Sequence, residues 1–269
     1  MLFVFGVYVF LTGAIIGSFL NVVIHRYPLG ESIVFPASRC PHCSNPIKPY
    51  DNVPLLSWLL LRGKCRACRS PIAGRYPVVE AANAFLWLAS WAHLGVSFVG
   101  LIVAAVCSML LVLIYIDLDI QILPDVIDLP GIALGFLLGG LGAGGMNDSL
   151  VLSYDLLDSL LGAVIGGGLL LAIALLYKLI RKVEGMGLGD VKMLAMIGAV
   201  CGWQAIFPVV FLASLTGAIF GVSLALRNRE GLQFAIPFGV FLGLATIFVI
   251  FLGVPANEWY LQFVTGGSP

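Results

Sequence analysis

Apolar stretches of about 20 residues recur along this chain, and they constrain its fold more than any other feature. A helix of that length crosses a hydrocarbon layer about 30 Å thick and satisfies its own backbone polar groups there. Eight stretches qualify, of which the sixth is short and interrupted by glycine: 2–24, 79–95, 97–116, 126–143, 157–179, 193–203, 205–226 and 235–253. The pattern predicts an all-α polytopic membrane protein with about eight transmembrane helices.

Composition argues against the alternative, which is a soluble protein with a very large core. Hydrophobic residues make up 60% of the chain and charged residues only 10%, whereas soluble domains are about a quarter charged. The first stretch has no basic residue before Arg26 and no obvious small-residue cleavage site. We therefore expect it to be a retained helix rather than a signal peptide.

The basic residues indicate the orientation of the chain. In an eight-span topology, all 14 lysines and arginines fall on one face of the membrane. Since basic loops stay in the cytoplasm, that face is predicted to be cytoplasmic and both termini periplasmic. The loops on this face contain Arg26, Arg39, Lys48, Arg62, Lys64, Arg66, Arg69 and Arg75, then Lys178, Arg181, Lys182 and Lys192, then Arg227 and Arg229.

The loop from 25 to 78 is the only soluble segment of any size, and it contains two C-x-x-C pairs separated by 21 residues. Four thiolates supplied by two such turns form a closed structural zinc site, which leaves no position for a catalytic water. A reducing cytoplasm favours metal over disulfides, although a pair of redox or incidental motifs is the alternative. The predicted zinc ligands are Cys40, Cys43, Cys65 and Cys68.

Acidic residues cluster at the cytoplasmic ends of two predicted spans, where ionisable groups are functional candidates by default. Asp117, Asp119, Asp125 and Asp128 follow the third span, and Asp190 precedes the sixth in Gly187-Leu-Gly189-Asp190. Two carboxylates from different helices at the same depth can converge, with one acting as general base on a water and the other as general acid. That arrangement hydrolyses a peptide bond without a metal or a covalent intermediate.

Other interpretations of these acids remain open at this point. Asp125, Asp128 and Glu184 fit residues that cap helices or reach the membrane interface. Intramembrane acids also line proton and cation paths, so a transporter is a competing hypothesis. A non-enzymatic scaffold of a secretion system is a third. The chain contains no Ser–His pair with suitable flanks and no H-E-x-x-H motif.

Several motifs occur together and in order along nearly the whole chain. They are Gly17-Ser-Phe-Leu-Asn21-Val-Val-Ile-His25-Arg26-Tyr-Pro28, the two C-x-x-C pairs, Arg75-Tyr-Pro-Val-Val-Glu80, Asp117-x-Asp119-x5-Asp125, Gly187-Leu-Gly189-Asp190-Val-Lys192 and Ile236-Pro-Phe-Gly239. In this set the sequence resembles the bacterial type IV prepilin peptidases, also called leader peptidase/N-methyltransferases, a branch of the GxGD aspartyl proteases.

The resemblance implies which acids are catalytic and how the chain is divided. It singles out Asp117 and Asp190, with Asp119 and Asp125 as secondary candidates because they match motif positions too. It also implies a first transmembrane helix at 1–24, a zinc-binding cytoplasmic domain at 25–78 that forms part of a methyltransferase, and a transmembrane peptidase domain at 79–269.

The implied activity is bifunctional. Such enzymes remove the leader of type IV prepilins or type II secretion pseudopilins at the cytoplasmic face of the bacterial inner membrane. They then methylate the new N-terminal amine with S-adenosylmethionine. The expected partners are therefore these substrates and the lipid bilayer, with no nucleic acid.

The methyl-transfer half has weaker support in the residues themselves. No Rossmann-type G-x-G-x-x-G lies between a strand and a helix. Four residues match the family motif around the first loop and are candidate S-adenosylmethionine contacts: Asn21, His25, Arg26 and Glu80. The alternative is that they serve close helix packing and an interfacial charge cluster.

Overall fold

The computed structural model describes residues 2–146, 149–183, 187–228 and 237–265. Within these ranges the regular secondary structure is helical, and two isolated bridges pair Arg39 with Pro46 and Lys64 with Pro71 in the loop after the first helix. The α-helices are α1 Leu2–Arg26, α2 Leu56–Leu60, α3 Arg75–Leu94, α4 Phe98–Ile120, α5 Asp125–Gly140, α6 Ala143–Met146, α7 Leu156–Arg181, α8 Leu188–Cys201, α9 Ile206–Asn228 and α10 Phe238–Thr265. The prediction of an all-α fold is confirmed.

Each of the eight predicted spans coincides with one helix of 14 residues or more. In the described part of the chain, five segments are long and apolar enough to cross a membrane: Phe3–Leu29, Phe98–Ile120, Leu156–Arg181, Trp203–Leu226 and Phe238–Asn257. Helices α3, α5 and α8 do not meet that criterion, and α8 is only about 21 Å long at 1.5 Å per residue. The chain is a multi-pass membrane protein, and the count of eight crossings stays a prediction.

The glycine-rich run from Gly139 to Gly145, a composition typical of loops, is helical over most of its length. Helix α5 continues to Gly140, and α6 begins at Ala143 after a turn in which Gly142 has a φ of +64°. Gly142 supplies the positive φ of this turn, whereas Gly139 allows close packing. A Cβ placed on Gly139 would lie 2.7 Å from the Cβ of Ser159, so only glycine lets the two segments meet.

The chain divides into two compact units, Met1–Val112 and Leu113–Pro269. In the first, α1 packs closely on α3 because Gly13 and Gly17 carry no side chain. A Cβ on Gly17 would lie 2.8 Å from the Cα of Glu80. The fully buried Asn83 stabilises the same helix pair, since its amide donates to the Gly13 carbonyl at 2.7 Å.

In the second unit, α8 is the central helix and is buried along most of its length. Glycines again allow close approach. A Cβ on Gly135 of α5 would lie 2.6 Å from the Cβ of Ala199, and a Cβ on Gly162 of α7 would contact the Gly198 carbonyl. The Ser159 hydroxyl donates to the Ala199 carbonyl at 2.6 Å. Helix α8 is therefore fixed between α5 and α7.

The connection between α4 and α5 positions the first acidic cluster. Helix α4 continues past the predicted span end at 116 and stops at Ile120, after which Gln121 adopts a φ of +55°. Pro124 cannot donate a backbone hydrogen bond and serves as the N-cap of α5. As a result Asp117 lies in the last turn of α4, and Asp125 is the first residue of α5.

Candidate active site and metal centre

Asp117 is held at the N-terminus of α10. The residue is buried, with only 4% of its surface exposed. The Val240 N–H donates to Asp117 Oδ2 at 3.0 Å, and the Gly239 N–H donates to the same carboxylate. The first N–H groups of a helix have no partner within it and favour a negative group. The α10 N-terminus therefore binds the Asp117 carboxylate.

Gly239 makes this contact possible. A Cβ at this position would lie 2.9 Å from Asp117 Oδ2 and 3.1 Å from Leu123 Cδ1. Any side chain larger than hydrogen would push the carboxylate away from the helix end. The Pro237-Phe-Gly239 part of the motif recognised in the sequence thus has a physical explanation, while Ile236 lies outside the described residues.

Asp190 lies in the first turn of α8 and is half-buried. The preceding Gly189 packs directly on Leu123, because a Cβ there would be 2.8 Å from the Leu123 Cβ. Leu123 therefore contacts the start of both α8 and α10. The carboxylates of Asp117 and Asp190 are close enough for the charge of one to act on the other. The two residues singled out in the sequence come together.

The secondary candidates are placed differently. Asp119 follows Asp117 by two residues on the same helix, which turns it by about 200°, and it is exposed. Asp125 is exposed and forms an ion pair with Lys192, whose Nζ donates to its two carboxylate oxygens at 2.6 and 2.8 Å. This pair links the start of α5 to the first turn of α8.

Four cysteines form the second candidate site. The Sγ atoms of Cys40, Cys43, Cys65 and Cys68 all lie within 4.8 Å of one another, and those of Cys40 and Cys68 are 3.8 Å apart. Tetrahedral zinc with Zn–S bonds of about 2.3 Å requires sulfurs about 3.8 Å apart. The donor set and its spacing therefore fit a metal ion, and soft thiolates suit zinc.

The two cysteine turns are built alike. The N–H of Cys40 donates to the Asn45 carbonyl at 3.0 Å, and the N–H of Cys65 donates to the Ser70 carbonyl at 2.9 Å. In each turn the residue after the second cysteine has a positive φ, 56° at Ser44 and 61° at Arg69. Both turns aim their thiols at a common centre.

Hydrogen bonds within the turns favour the thiolate form of Cys40 and Cys68. Backbone N–H groups of Cys43 and His42 donate to the Cys40 sulfur and lower the pKa of that thiol to about 6. The Ser70 hydroxyl and backbone N–H lower the pKa of the Cys68 thiol as well. Burial and hydrogen bonds with the other three cysteines instead raise the pKa of the Cys43 thiol to about 11. Since metal ligands must be deprotonated, a bound cation would supply the charge that lets all four thiols ionise together.

The candidate methyltransferase residues lie in the first unit. Asn21 is buried, and its amide donates to the Tyr76 carbonyl at 3.1 Å. Glu80 is also buried and accepts the Leu55 N–H at 2.8 Å. The first bond joins α1 to α3, and the second joins α3 to the residue that precedes α2. His25 is exposed near the end of α1, where Arg26 donates to the Ser32 carbonyl at 3.1 Å.

Two family models match the chain: the bacterial peptidase A24 N-terminal domain over residues 11–94, and the type IV leader peptidase family over 104–222. The chain is 38% identical to the prepilin leader peptidase/N-methyltransferase of Aeromonas hydrophila, over 94% of this chain and 92% of that protein. It is 39% identical to the protein of the same name from Pseudomonas aeruginosa, over 94% and 92%. The chain belongs to the type IV leader peptidase family.

Membership in this family confirms the resemblance found in the sequence. The two matched regions together cover most of the chain. A third relative in the family, the prepilin leader peptidase/N-methyltransferase of Myxococcus xanthus, is 39% identical over 83% of this chain and 64% of its own length. No solved structure matches the chain.

The environment predicted for Asp128 from the sequence is wrong. This residue was grouped with helix-capping or interfacial acids, yet it is 0% exposed and neither carboxylate oxygen has a hydrogen-bond partner among the described residues. It lies within electrostatic range of Asp125, Lys192 and Asp190. The helical spacing of Asp128, Gly131 and Gly135 was the available signal, because a glycine stripe marks the face that packs most closely.

We expect Asp128→Asn to stabilise the protein. Burying a carboxyl group without a partner costs roughly 1–3 kcal/mol or more, and the isosteric amide removes the charge without changing the volume. The apparent melting temperature in detergent should rise by several degrees. Asp125→Asn is the matched control, since it breaks a solvent-exposed ion pair worth about 1 kcal/mol or less. A lower melting temperature for Asp128→Asn would show that this carboxylate has a stabilising partner.

Proposed function

We propose that this chain is a prepilin peptidase of the bacterial inner membrane. It cleaves the leader of type IV prepilins or type II secretion pseudopilins at the cytoplasmic face and methylates the new N-terminus with S-adenosylmethionine. The observation that carries the proposal is the convergence of Asp117 and Asp190 from two helices. The relatives that share the chain nearly end to end bear the name of this activity.

The environments of the two carboxylates suggest a division of labour. Backbone N–H donors at a helix N-terminus stabilise the ionised form of Asp117, so we assign it as the general base that takes a proton from water. Asp190 lies in the first turn of its own helix, α8, and among the described residues no N–H of another helix donates to its carboxylate, so we assign it as the general acid. It protonates the carbonyl oxygen as water attacks the carbonyl carbon, which gives a gem-diol. Asp117 then donates its proton to the amine nitrogen as the C–N bond breaks, and the ionised Asp190 takes a proton back from one hydroxyl as the new carboxyl group forms.

The domain assignment follows the same proposal. Residues 1–24 form the first transmembrane helix, 25–78 the cytoplasmic zinc-binding domain, and 79–269 the peptidase domain, with both termini periplasmic. The clustering of basic residues around 25–78 supports this orientation. The four-cysteine centre would hold zinc as a structural ion, with all its positions filled by sulfur.

The methyl-transfer activity is proposed from the name of the relatives. Asn21 and Glu80 hydrogen-bond to backbone groups of the first unit, and we propose that they also contact S-adenosylmethionine. His25 and Arg26 remain candidates for contacts with the methyl donor, at the end of α1 beside the zinc-binding domain.

One experiment tests both activities. Membranes containing the chain are incubated with a candidate prepilin, with and without S-adenosylmethionine, and intact-mass spectrometry reads the product. We expect leader removal in both samples and the added mass of one methyl group only with the donor. The double variant Asp117→Ala/Asp190→Ala is the control and should leave the prepilin intact. Intact prepilin in the wild-type sample would contradict the peptidase, and an unmethylated product would contradict the methyltransferase alone.

A further inference from the structure

Helix α2 presents an apolar face that is largely exposed. Its residues Leu56, Leu59 and Leu60 are 55%, 63% and 82% exposed. They are spaced i, i+3 and i+4, so they lie on one side of the helix. Leucine side chains so fully exposed on one face indicate an interaction surface.

This face cannot turn inward, because the opposite side of α2 is tied to the zinc-binding domain. The Ser57 hydroxyl donates to the Tyr50 carbonyl at 3.0 Å and accepts the Val53 N–H at 3.0 Å. The Trp58 indole donates to the Ile72 carbonyl at 3.2 Å. These hydrogen bonds fix the orientation of α2, so the three leucines point away from the zinc-binding domain as part of the fold.

The start of α2 is anchored to the membrane helices. The Leu55 N–H donates to Glu80 Oε2 at 2.8 Å, and Leu55 adopts a φ of +62°, which costs energy for a residue with a side chain. Glu80 in turn faces Gly17 of α1. The bond between Leu55 and Glu80 thus holds α2 at a defined depth along the α1–α3 pair.

That depth lies within the apolar band of α1. Gly17 precedes the end of α1 at Arg26 by about 13 Å of helix. Phe19, which is closer to that end than Gly17, is apolar and 50% exposed, as expected for a side chain facing lipid. The lipid-facing surface of α1 therefore extends beyond the level at which Leu55 is attached, so α2 starts inside the apolar layer, close to its edge on the side of the zinc-binding domain.

Charge next to the apolar face is complementary to a lipid surface. Arg62 and Lys64 directly follow α2 and are exposed. Leucines on one side and basic residues at the edge are the pattern of segments that lie in the interface of an anionic bilayer.

We propose that α2 is an interfacial anchor, in which Leu56, Leu59 and Leu60 insert into the leaflet on the side of the zinc-binding domain and Arg62 and Lys64 meet its anionic headgroups. The anchor holds the two cysteine turns at a fixed height above the bilayer. The inference rests on the chain being a membrane protein and is independent of its peptidase activity.

Depth measurement by spin labelling tests the anchor in the full-length, zinc-loaded chain. A nitroxide is attached at Leu60→Cys in a Cys107→Ser/Cys201→Ser background, with mass spectrometry confirming one label per chain. In nanodiscs containing phosphatidylglycerol, we expect the label to be more accessible to oxygen than to a water-soluble nickel chelate. Ala37→Cys, at an exposed position of the same domain, is the control and should show the opposite preference.

Three results would overturn the proposal. If the labels at positions 60 and 37 were equally accessible to the chelate, α2 would lie in water. If Leu60→Cys misfolds, Leu56→Cys repeats the same measurement. Shielding that develops only when prepilin is added would make the face a docking site for the substrate instead. We expect the label to insert more deeply in phosphatidylglycerol than in phosphatidylcholine discs. Equal depth in the two lipids would contradict the proposed contact of Arg62 and Lys64 with anionic headgroups.

Discussion

Asp117→Asn and Asp190→Asn are each expected to lower the rate of prepilin cleavage by about 10³-fold or more. Asparagine keeps the shape of the side chain but can neither accept the proton of the attacking water nor donate one to the carbonyl oxygen. Because the two carboxylates act as a unit, the double variant should be no slower than either single variant. The measurement is the initial rate of leader removal from a purified prepilin by protein in detergent.

Two variants of neighbouring acids serve as controls. Asp119→Asn changes an exposed side chain on the other side of α4, and Asp125→Asn changes an exposed ion pair with Lys192. Both should retain cleavage within about tenfold of wild type, because neither carboxylate is placed to reach the same water. Normal processing by Asp117→Asn or Asp190→Asn would refute the proposed dyad. A large loss in Asp125→Asn would instead indicate that the pair with Lys192 positions Asp190.

The helices were predictable because the thickness of the bilayer fixes their length. Each predicted span lies within or largely overlaps a helix, with ends that shift by several residues. The end of α4 shows why: hydropathy falls at 116, but backbone hydrogen bonding continues to Ile120. The prediction therefore left Asp117 just outside a helix, where the structure places it inside the last turn.

The convergence of Asp117 and Asp190 was foreseeable from their common depth, but what holds them was not. The N–H groups that bind Asp117 belong to Gly239 and Val240, more than 100 residues away in sequence, as the separation of 123 between Asp117 and Val240 shows. A charge pattern cannot reveal such a contact, since backbone donors are the same in every residue. The one sign of this contact in the sequence is the glycine at position 239, where any side chain would displace the carboxylate.

The burial of Asp128 could not be predicted from the sequence for a related reason. A carboxylate near a helix start is usually solvated, so its chemistry gives no hint of burial. Whether it is buried depends on which face of α5 meets α8, and that is decided by Gly131 and Gly135. The four-cysteine centre was the opposite case, because metal geometry restricts ligand type and spacing so strongly that two C-x-x-C pairs indicate it alone.

Removing zinc is expected to unfold the domain at 25–78 while the membrane helices stay folded. In this range, which the structure describes completely, Cys40 is the only hydrophobic residue that is buried. A segment of this size without an apolar core cannot offset its conformational entropy, so the metal must supply the difference. Structural zinc sites contribute about 10–16 kcal/mol in small peptides, which exceeds the stability of most domains.

Elemental analysis and limited proteolysis check this expectation. Wild-type protein purified under reducing conditions should hold about one zinc per chain, as a single four-thiolate centre requires. Cys40→Ser combined with Cys65→Ser should hold none and should be cut by protease between α1 and α3. Cys107→Ala is the matched control, because Cys107 is fully buried in α4 away from the cysteine turns and its loss should leave zinc in place. Zinc-free wild-type protein, or a double variant that resists protease as well as wild type does, would refute the structural zinc centre.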